Sequence, residues 1–470
     1  MRQQKTEQQK SGRQNLRRRT DRTELFERMP VPQAVRRQII PAIASQMIAL
    51  IYNLADTYFV GLLNDPVQTA AVTVVYSSFV MLTAISNLFG VGGASALSRA
   101  LGEKKKEDAK GIAALSFWGG LLCAVLFSLL FLALARPVLV LCGATPDVFD
   151  TAFVYALWVV VVGGPGTILN TLLSNLVRAE GSAAAAAVGV SMGGILNIIL
   201  DPIFVLPRFL GMGAVGAGIA TALSNLAATL YFLFYILTRR GKTALSLSPA
   251  RLQLGGRYVK AVFASGFPSA VQYALTVVAI AAQSKFVSQY TTEAVAALGI
   301  VKKLDQLPLY FSIGVSNGLL PLLAYNYAAG NQGRRRKIFR LGTAVSLAFS
   351  LFCLAVYEAF APWLASLFIS DPLTIRYSAG FLRCMVTAMP MMSVCYPMII
   401  QFQAMRRFKE SMVCSVLRKG VLDIPLLFVM NGLFGLYGCM WVQPIVDTVS
   451  LVAAGGFYRS LVKKEKAEAA

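Results

Sequence analysis

The sequence predicts an all-α polytopic membrane protein whose twelve transmembrane helices form two six-helix lobes in a parallel tandem repeat. Three observations lead to this fold class. The 470 residues are 56 % hydrophobic and 14 % charged, and most fall into apolar blocks that exceed the roughly 20 helical residues needed to cross a bilayer. The second half of the chain repeats the first, and cations concentrate in alternate loops. Blocks this long are helices, because barrel strands are short and alternate in polarity.

The apolar blocks define twelve spans in chain order. They are predicted at residues 38–63, 70–98, 110–135, 150–177, 182–206, 211–238, 258–289, 294–325, 339–368, 374–405, 410–432 and 435–458. Each is long enough to cross the hydrocarbon core, and the longer ones allow for tilt.

Positive charge is distributed unevenly between the loops. The chain carries 44 Lys and Arg against 22 Asp and Glu, a net charge of +22. Of these cations, 35 lie in the two tails and after spans two, four, six, eight and ten, whereas three lie in the opposite loops. Cytoplasmic loops carry such an excess. The asymmetry predicts that both termini are cytoplasmic, and it accounts for the basic charge without nucleic-acid binding.

Short matches between the halves support the repeat. Pro41 and Pro268 begin spans one and seven, Gly102 is matched with Gly330, and a Gly-x-x-Gly turn recurs at 213–216 and 435–438. Because six is even, both halves enter the membrane in the same direction, as in transporters built from parallel repeats.

The repeat predicts five regions of the chain. They are a basic, disordered cytoplasmic tail at 1–37, an N-lobe at 38–240, a Gly-, Ser- and Pro-containing cytoplasmic linker at 241–257, a C-lobe at 258–458 and a cytoplasmic tail at 459–470. The first tail is not expected to be a cleavable signal peptide, because no short apolar region with a cleavage site precedes span one.

Enzymatic and nucleotide-driven functions lack the residues that they need. The chain has no histidine and no G-x-x-x-x-G-K-[ST] motif, which argues against triad catalysis and nucleotide hydrolysis. The stretch GMGAVG at 211–216 matches a dinucleotide fingerprint, but no soluble strand and helix surround it. The seven Cys are isolated, so no metal centre or disulfide framework is predicted. We expect neither enzymatic activity nor a cofactor.

Asp56 and Asp201 are the clearly intramembrane acids of the first six spans. A charge at a helix centre costs about 2.5–3.5 kcal/mol on insertion scales, so such residues usually mark an ion path. Both are predicted in the outer half of the bilayer, roughly 7–11 Å from the outer ends of their helices. Tyr52 and Asn197 precede them by four residues on the same faces. These oxygens suit reversible protonation or Na+, and a structural hydrogen bond between helices is the alternative.

The second lobe differs at the matching positions. Gln283 takes the place of Asp56, and Lys419, four residues before Asp423, is predicted to neutralise that aspartate internally. We therefore expect ion coupling in the first lobe and gating in the second. The candidate residues of the substrate path, with structural ion pairing as the alternative for the charged ones, are Gln272, Gln283, Lys302, Asp305 and Arg383.

Three stretches resemble the multidrug and toxic compound extrusion (MATE) family over about residues 36–462. They are Y-N-L-A-D-T-Y-F-V-G in span one, R-A-E-G after span four and N-I-I-L-D-P in span five. The chain looks most like the DinF-type branch, whose cation site is in the N-lobe. Gln283, in a span seven without acids, argues against the branch with a C-lobe site. The residues that match the DinF-type cation site are Tyr52, Asp56, Asn175, Asn197, Asp201 and Thr221. Those that could hold Na+ are Asp56, Asn197, Asp201 and Thr221.

The resemblance implies a secondary active multidrug efflux antiporter in the bacterial cytoplasmic membrane. It would export small-molecule drugs, often organic cations, in exchange for H+ or Na+ by alternating access, as a monomer in the lipid bilayer. One alternative is a lipid-linked sugar flippase or polysaccharide exporter of the same superfamily, which would need a broad cationic cavity. An alternative of another class is a membrane enzyme or receptor without transport.

Overall fold

The computed structural model describes residues 24–240 and 242–467, and every regular element in this part is helical. Spans one to three are Val31–Gly61, Pro66–Gly102 and Lys106–Leu141; span four is the bent pair Pro146–Val162 and Gly164–Ala179; spans five to nine are Ala183–Val205, Gly213–Thr238, Gly256–Val287, Thr292–Ala328 and Gln332–Ser366; span ten is the bent pair Pro372–Val386 and Met389–Ala404. Span eleven begins with Phe408–Val416, passes through the irregular turn Leu417–Val421 and enters Asp423–Ala467, which kinks at Gly435, where span twelve begins. Eight of the described helices are long and apolar enough to cross a membrane, or ten with each bent pair counted as one.

The predicted all-α fold class is confirmed, and each predicted span overlaps these helices, with spans eleven and twelve sharing the helix Asp423–Ala467. Some helices extend further than their apolar blocks at both ends: span two, for example, begins at Pro66 and ends at Gly102. Asp65 explains the early start, because its carboxylate accepts a hydrogen bond from the Val67 N–H at 2.8 Å and caps the helix. Helix ends of this kind are polar, so hydropathy alone underestimates them.

The described part of the N-terminal tail is ordered, contrary to the predicted disorder. Residues 1–23 lie outside the described residues, whereas Glu24–Arg28 form a helical turn and span one already begins at Val31. Leu25 and Phe26 are buried, and their apolar side chains stabilise this turn. The sequence before them is almost free of apolar residues, which is why its composition predicts disorder.

The backbone repeats its special conformations in both lobes. Span four bends by 43° and span ten by 44°. Gly213 and Gly435, which the sequence pairs, open spans six and twelve with φ values of +60° and +59°, where glycine is favoured. The pairing of Gly102 with Gly330 is wrong: Gly330 has φ +77°, and the residue with a comparable φ in the turn after span two, +61°, is Lys104. The sequence comparison aligned the two turns two residues out of register, because the turns share few residues.

The lobes meet where span one packs on span eight and span two packs on span seven. The closest approaches lie near the end that carries the turns after spans two, four, six, eight and ten, which we call the basic end. A Cβ atom added at Gly314 would come within 2.7 Å of the Ile43 Cα, and one at Gly266 within 1.8 Å of the Leu88 carbonyl oxygen. Only glycine permits backbones to approach this closely.

Arg99 links the lobes at the basic end. It lies on span two and is 4 % exposed, and its guanidinium crosses to the second lobe. Its carbonyl acceptors are Ala261 at 3.2 Å, Gln403 at 3.2 Å and Ala404 at 3.1 Å. The last carbonyls of a helix have no donor within it, so Arg99 caps span ten from the opposite lobe.

Gly266→Ala tests the close approach of spans two and seven. The added methyl group cannot occupy the space of the Leu88 carbonyl, so we expect a loss of about 1–3 kcal/mol in the free energy of unfolding. The measurement is thermal unfolding in detergent micelles. Gly299→Ala on span eight is the matched control, because nothing lies within 4 Å of its added Cβ atom. Equal melting temperatures for the two variants would contradict the packing.

Candidate functional site

Asp56 and Asp201 come together near the ends of spans one and five that are remote from the basic end. Asp201 is fully buried, and the two carboxylates interact electrostatically with each other. Gly194 allows the two helices to approach, because a Cβ atom added there would come within 2.8 Å of Ile48 Cγ2 and 3.0 Å of Tyr52 Cδ1. The structure thus brings together the two acids that the sequence singled out.

Three oxygen atoms at this site receive no hydrogen bond within the described residues. Asn197 Nδ2 donates to Asp201 Oδ1 at 3.0 Å, which leaves Asp201 Oδ2, Asn197 Oδ1 and Asp56 Oδ1 buried without a donor. A buried acceptor without a donor costs about 1–3 kcal/mol, and more when it is charged. A bound proton, or a hard cation that these oxygens coordinate, would remove this cost.

Two tyrosine side chains interact electrostatically with the carboxylates, and one of them was not predicted. Tyr52 interacts electrostatically with Asp56, whereas Tyr155 on span four interacts with both aspartates. The Tyr155 ring also packs on span six, where a Cβ atom added at Gly218 would come within 3.0 Å of it. The sequence offered no signal for Tyr155, because it is one of 17 tyrosines and no acidic or amide residue lies three or four positions from it.

Thr221 and Asn175, the other two predicted cation-site residues, differ in position. Thr221 is buried on span six one turn beyond Gly218, and no hydrogen bond joins it to either aspartate in the described part of the chain. Asn175 lies near the basic end, where its Oδ1 accepts from Arg178 Nη1 at 2.9 Å. Because span four runs toward the basic end, it carries Asn175 away from the carboxylates.

Lys419 and Asp423 do not form the predicted pair. The Lys419 amino group donates to Gln443 Oε1 at 2.5 Å, whereas Asp423 Oδ2 accepts from the Gly420 N–H at 2.8 Å. Span eleven leaves the helical conformation here, with φ −143° at Lys419 and +149° at Gly420. The i,i+4 argument fails because it assumes an unbroken helix.

A buried ion pair connects spans eleven and twelve. Arg418 Nε lies 2.9 Å from Asp447 Oδ1, and both side chains are 2 % exposed. Gln443 Nε2 donates to the other Asp447 oxygen at 2.9 Å, and the guanidinium lies 4.1 Å from the centroid of the Tyr396 ring. These contacts make Arg418 a structural residue of the second lobe.

The residues predicted for the substrate path are only partly grouped. Lys302 and Asp305 on span eight interact electrostatically with each other and with Asp447, without a direct ion pair among the described residues. Gln283 Nε2 donates to the Cys439 carbonyl at 3.0 Å. A cavity of about 10 Å³, room for about one water molecule, lies among these groups. Its polar lining residues are Gln283, Lys302, Lys419, Asp423 and Gln443.

Gln272 and Arg383 are not part of that cavity lining. Gln272 is buried on span seven. The Arg383 guanidinium lies 3.8 Å from Glu358 on span nine, with side chains 50 % and 43 % exposed. Half-exposed pairs at this distance contribute little to stability, so Arg383 has no demonstrated structural role.

Two helical lobes with corresponding bends, joined at one end and carrying paired carboxylates in one lobe, define a polytopic membrane transporter. The chain belongs to the MatE family, the MATE transporters, because the MatE family model matches residues 41–203 and 268–429, one stretch in each half.

Named relatives and solved structures agree with this family. Multidrug export protein MepA of Staphylococcus saprophyticus subsp. saprophyticus is 28 % identical over 429 residues, which cover 91 % of this chain and 94 % of that protein. MepA of Staphylococcus aureus strain MRSA252 is 27 % identical over 430 residues, with the same coverages. A structure described as the outward-facing conformation of a multidrug resistance MATE family transporter has a TM-score of 0.88 at 22 % identity, covering 94 % of this chain and 98 % of that one. This identity shows a shared fold alone.

Arg418→Met tests the structural role of the second-lobe ion pair. It leaves the Asp447 carboxylate buried without its cation, which costs about 3–5 kcal/mol. Thermal unfolding in detergent should therefore show a large drop, and the double variant with Asp447→Leu should recover most of it. Arg383→Met is the control, with an expected change below about 1 kcal/mol. A similar loss for both arginines would show that the Arg418 pair is not special.

Proposed function

We propose that this protein is a multidrug efflux antiporter that exports small organic compounds in exchange for H+ or Na+. The observation that carries the proposal is the set of three buried oxygens, on Asp56, Asn197 and Asp201, that lack a donor in the described structure. A cation is the species that these oxygens require. The relatives named multidrug export proteins support drugs as the substrates and export as the direction.

The closed end of the bundle sets the direction in which the cation would enter. The excess of Lys and Arg supports a cytoplasmic basic end, and the bacterial relatives support a bacterial cell membrane. Both termini would then lie in the cytoplasm. Arg99 and the glycine contacts close this end, so in this state a cation would reach Asp56 and Asp201 from the opposite side.

Exchange requires that cation and drug bind the two states of the transporter with different affinities. The N-lobe position of Asp56 and Asp201 supports a DinF-type arrangement, with Tyr52 and Tyr155 beside the cation. Drug would pass along the second lobe. Gln283 and Lys302, which line the small cavity, support a polar wall of this path. Its further candidates, on the same two helices, are Gln272 and Asp305. The proposal needs no cofactor, no nucleic acid and no partner other than lipid and drug, and a monomer suffices.

Asp56→Asn and Asp201→Asn test the proposal in proteoliposomes loaded with a fluorescent cationic dye. We expect each variant to lose roughly tenfold or more in the rate of gradient-driven efflux, which corresponds to at least about 1.4 kcal/mol in activation free energy. Asparagine keeps the shape of the side chain but cannot take up the proton or balance the cation charge. Separate experiments with an imposed pH gradient and an imposed Na+ gradient identify the coupling ion.

Asp65→Asn is the matched control for these variants. Asp65 caps span two at the same end of the bundle, and asparagine caps helices as well as aspartate does, so efflux should be unchanged. Unimpaired efflux in both site variants would place ion coupling elsewhere. Loss of efflux in the control as well would indicate a general sensitivity to charge at this end.

A further inference from the structure

The turn Glu24–Arg28, just before span one, is held tightly although it lies at the basic end of the bundle. Leu25 and Phe26 are each 2 % exposed. The Phe26 ring stacks on the Tyr325 ring of span eight, with centroids 4.6 Å apart and planes inclined by 12°. A segment outside the membrane helices is usually mobile unless specific contacts hold it.

The second lobe binds the main chain of this turn by hydrogen bonds. Arg334 Nε donates to the Phe26 carbonyl at 2.8 Å, and Arg334 Nη2 to the Leu25 carbonyl at 3.3 Å. Asn326 Nδ2 also donates to the Phe26 carbonyl, at 3.2 Å. The Tyr325 hydroxyl donates to Glu27 Oε1 at 2.7 Å. Because two of the acceptors are backbone oxygens, the turn is held in one conformation against the end of span eight.

The first lobe contacts the other side of the same turn. A Cβ atom added at Gly181, in the turn between spans four and five, would lie 3.1 Å from Phe26 Cε2 and 3.3 Å from Leu25 Cδ2. Gly181 has φ +94°, which favours glycine. The neighbouring Glu180 carboxylate accepts from the Ala244 N–H of the linker at 2.8 Å. The turn therefore lies between a first-lobe turn and the end of a second-lobe helix.

Tyr325 is the residue at which these contacts converge. Its ring stacks on the Phe26 ring. Its carbonyl oxygen contacts span two, because a Cβ atom added at Gly102 would lie 2.4 Å from it. The lobes cannot separate at the basic end without breaking the contacts of Phe26 and Leu25 on one side or the other. Nothing covalent fixes residues 24–28 to the second lobe, so these contacts can form and break.

We propose that residues 24–28 are a detachable strap that holds the basic end closed and must leave Tyr325 and Arg334 before that end opens. The inference rests on the proposed function only in assuming that the lobes separate at this end. Weakening the strap should shift the population toward the open state. The strap acts on the conformational equilibrium without contacting drug or cation.

A thiol introduced by Ser265→Cys reports opening of the basic end. Ser265 is fully buried, its hydroxyl donates to the Gln403 carbonyl at 2.8 Å, and Arg99 of the opposite lobe lies 3.4 Å away. Alkylation of position 265 by a maleimide is measured by peptide mass spectrometry on the full chain, so the native cysteines need no replacement. Adding Phe26→Ala should raise the alkylation rate at this position by roughly tenfold, as expected for loss of a buried aromatic pair.

Arg334→Gln and Phe408→Ala complete the experiment. Arg334→Gln removes the guanidinium donors to the Leu25 and Phe26 carbonyls, leaving the Asn326 donor in place, and should also raise the rate, so the test survives if Phe26→Ala fails to fold. Phe408→Ala truncates a partly exposed aromatic residue at the same end and should leave the rate unchanged. An unchanged rate in both strap variants would overturn the proposal. The assay uses neither drug nor ion gradient, so its failure is distinguishable from a failure of antiport.

Discussion

The hydrocarbon core offers no hydrogen-bond partners, so every polar group buried there must find a partner within the chain. Most of this protein obeys that constraint through contacts between helices. Arg99 donates hydrogen bonds to carbonyls of the opposite lobe, and Arg418 pairs with Asp447 and lies over the Tyr396 ring. Among the buried side-chain atoms of the described residues that lack a partner, the carboxylate oxygens belong to Asp56 and Asp201, and a cation from outside the chain would complete them.

The two lobes share their helix bends and glycine turns, and they differ around the aspartates of spans five and eleven. Both bend in their fourth helix and open their sixth with a glycine at positive φ. In the first lobe, span five continues as a helix through Asn197 and Asp201, so one face collects the oxygens. In the second lobe, span eleven unwinds at Gly420, and Asp423 accepts from the freed backbone N–H. An internal donor satisfies that carboxylate, which removes its need for a cation.

The bilayer explains which parts of this structure the sequence predicts. The spans were predictable because crossing length and apolar composition are imposed by the membrane, and the first-lobe acids because their burial is costly. Lys419 and Asp423 were paired wrongly because residue spacing does not reveal the break in span eleven. Asn175 was assigned from a motif, although its helix carries it toward the basic end. Tyr155 and the inter-lobe hydrogen bonds depend on which helices become neighbours, which local sequence does not encode.

Span one connects the cation site to the closed end of the bundle. One continuous segment carries the strap at residues 24–28, the inter-lobe contact at Ile43 and the carboxylate of Asp56. Pro41 lies inside this helix between the strap and the carboxylate, and a proline removes a backbone hydrogen bond and permits bending there. A cation held between Asp56 and Asp201 would fix the far end of span one against span five. If the cation-bound position of span one fits one arrangement of the lobes better than the other, cation binding favours that arrangement. Span one alone would then couple the cation site to the contacts at the basic end.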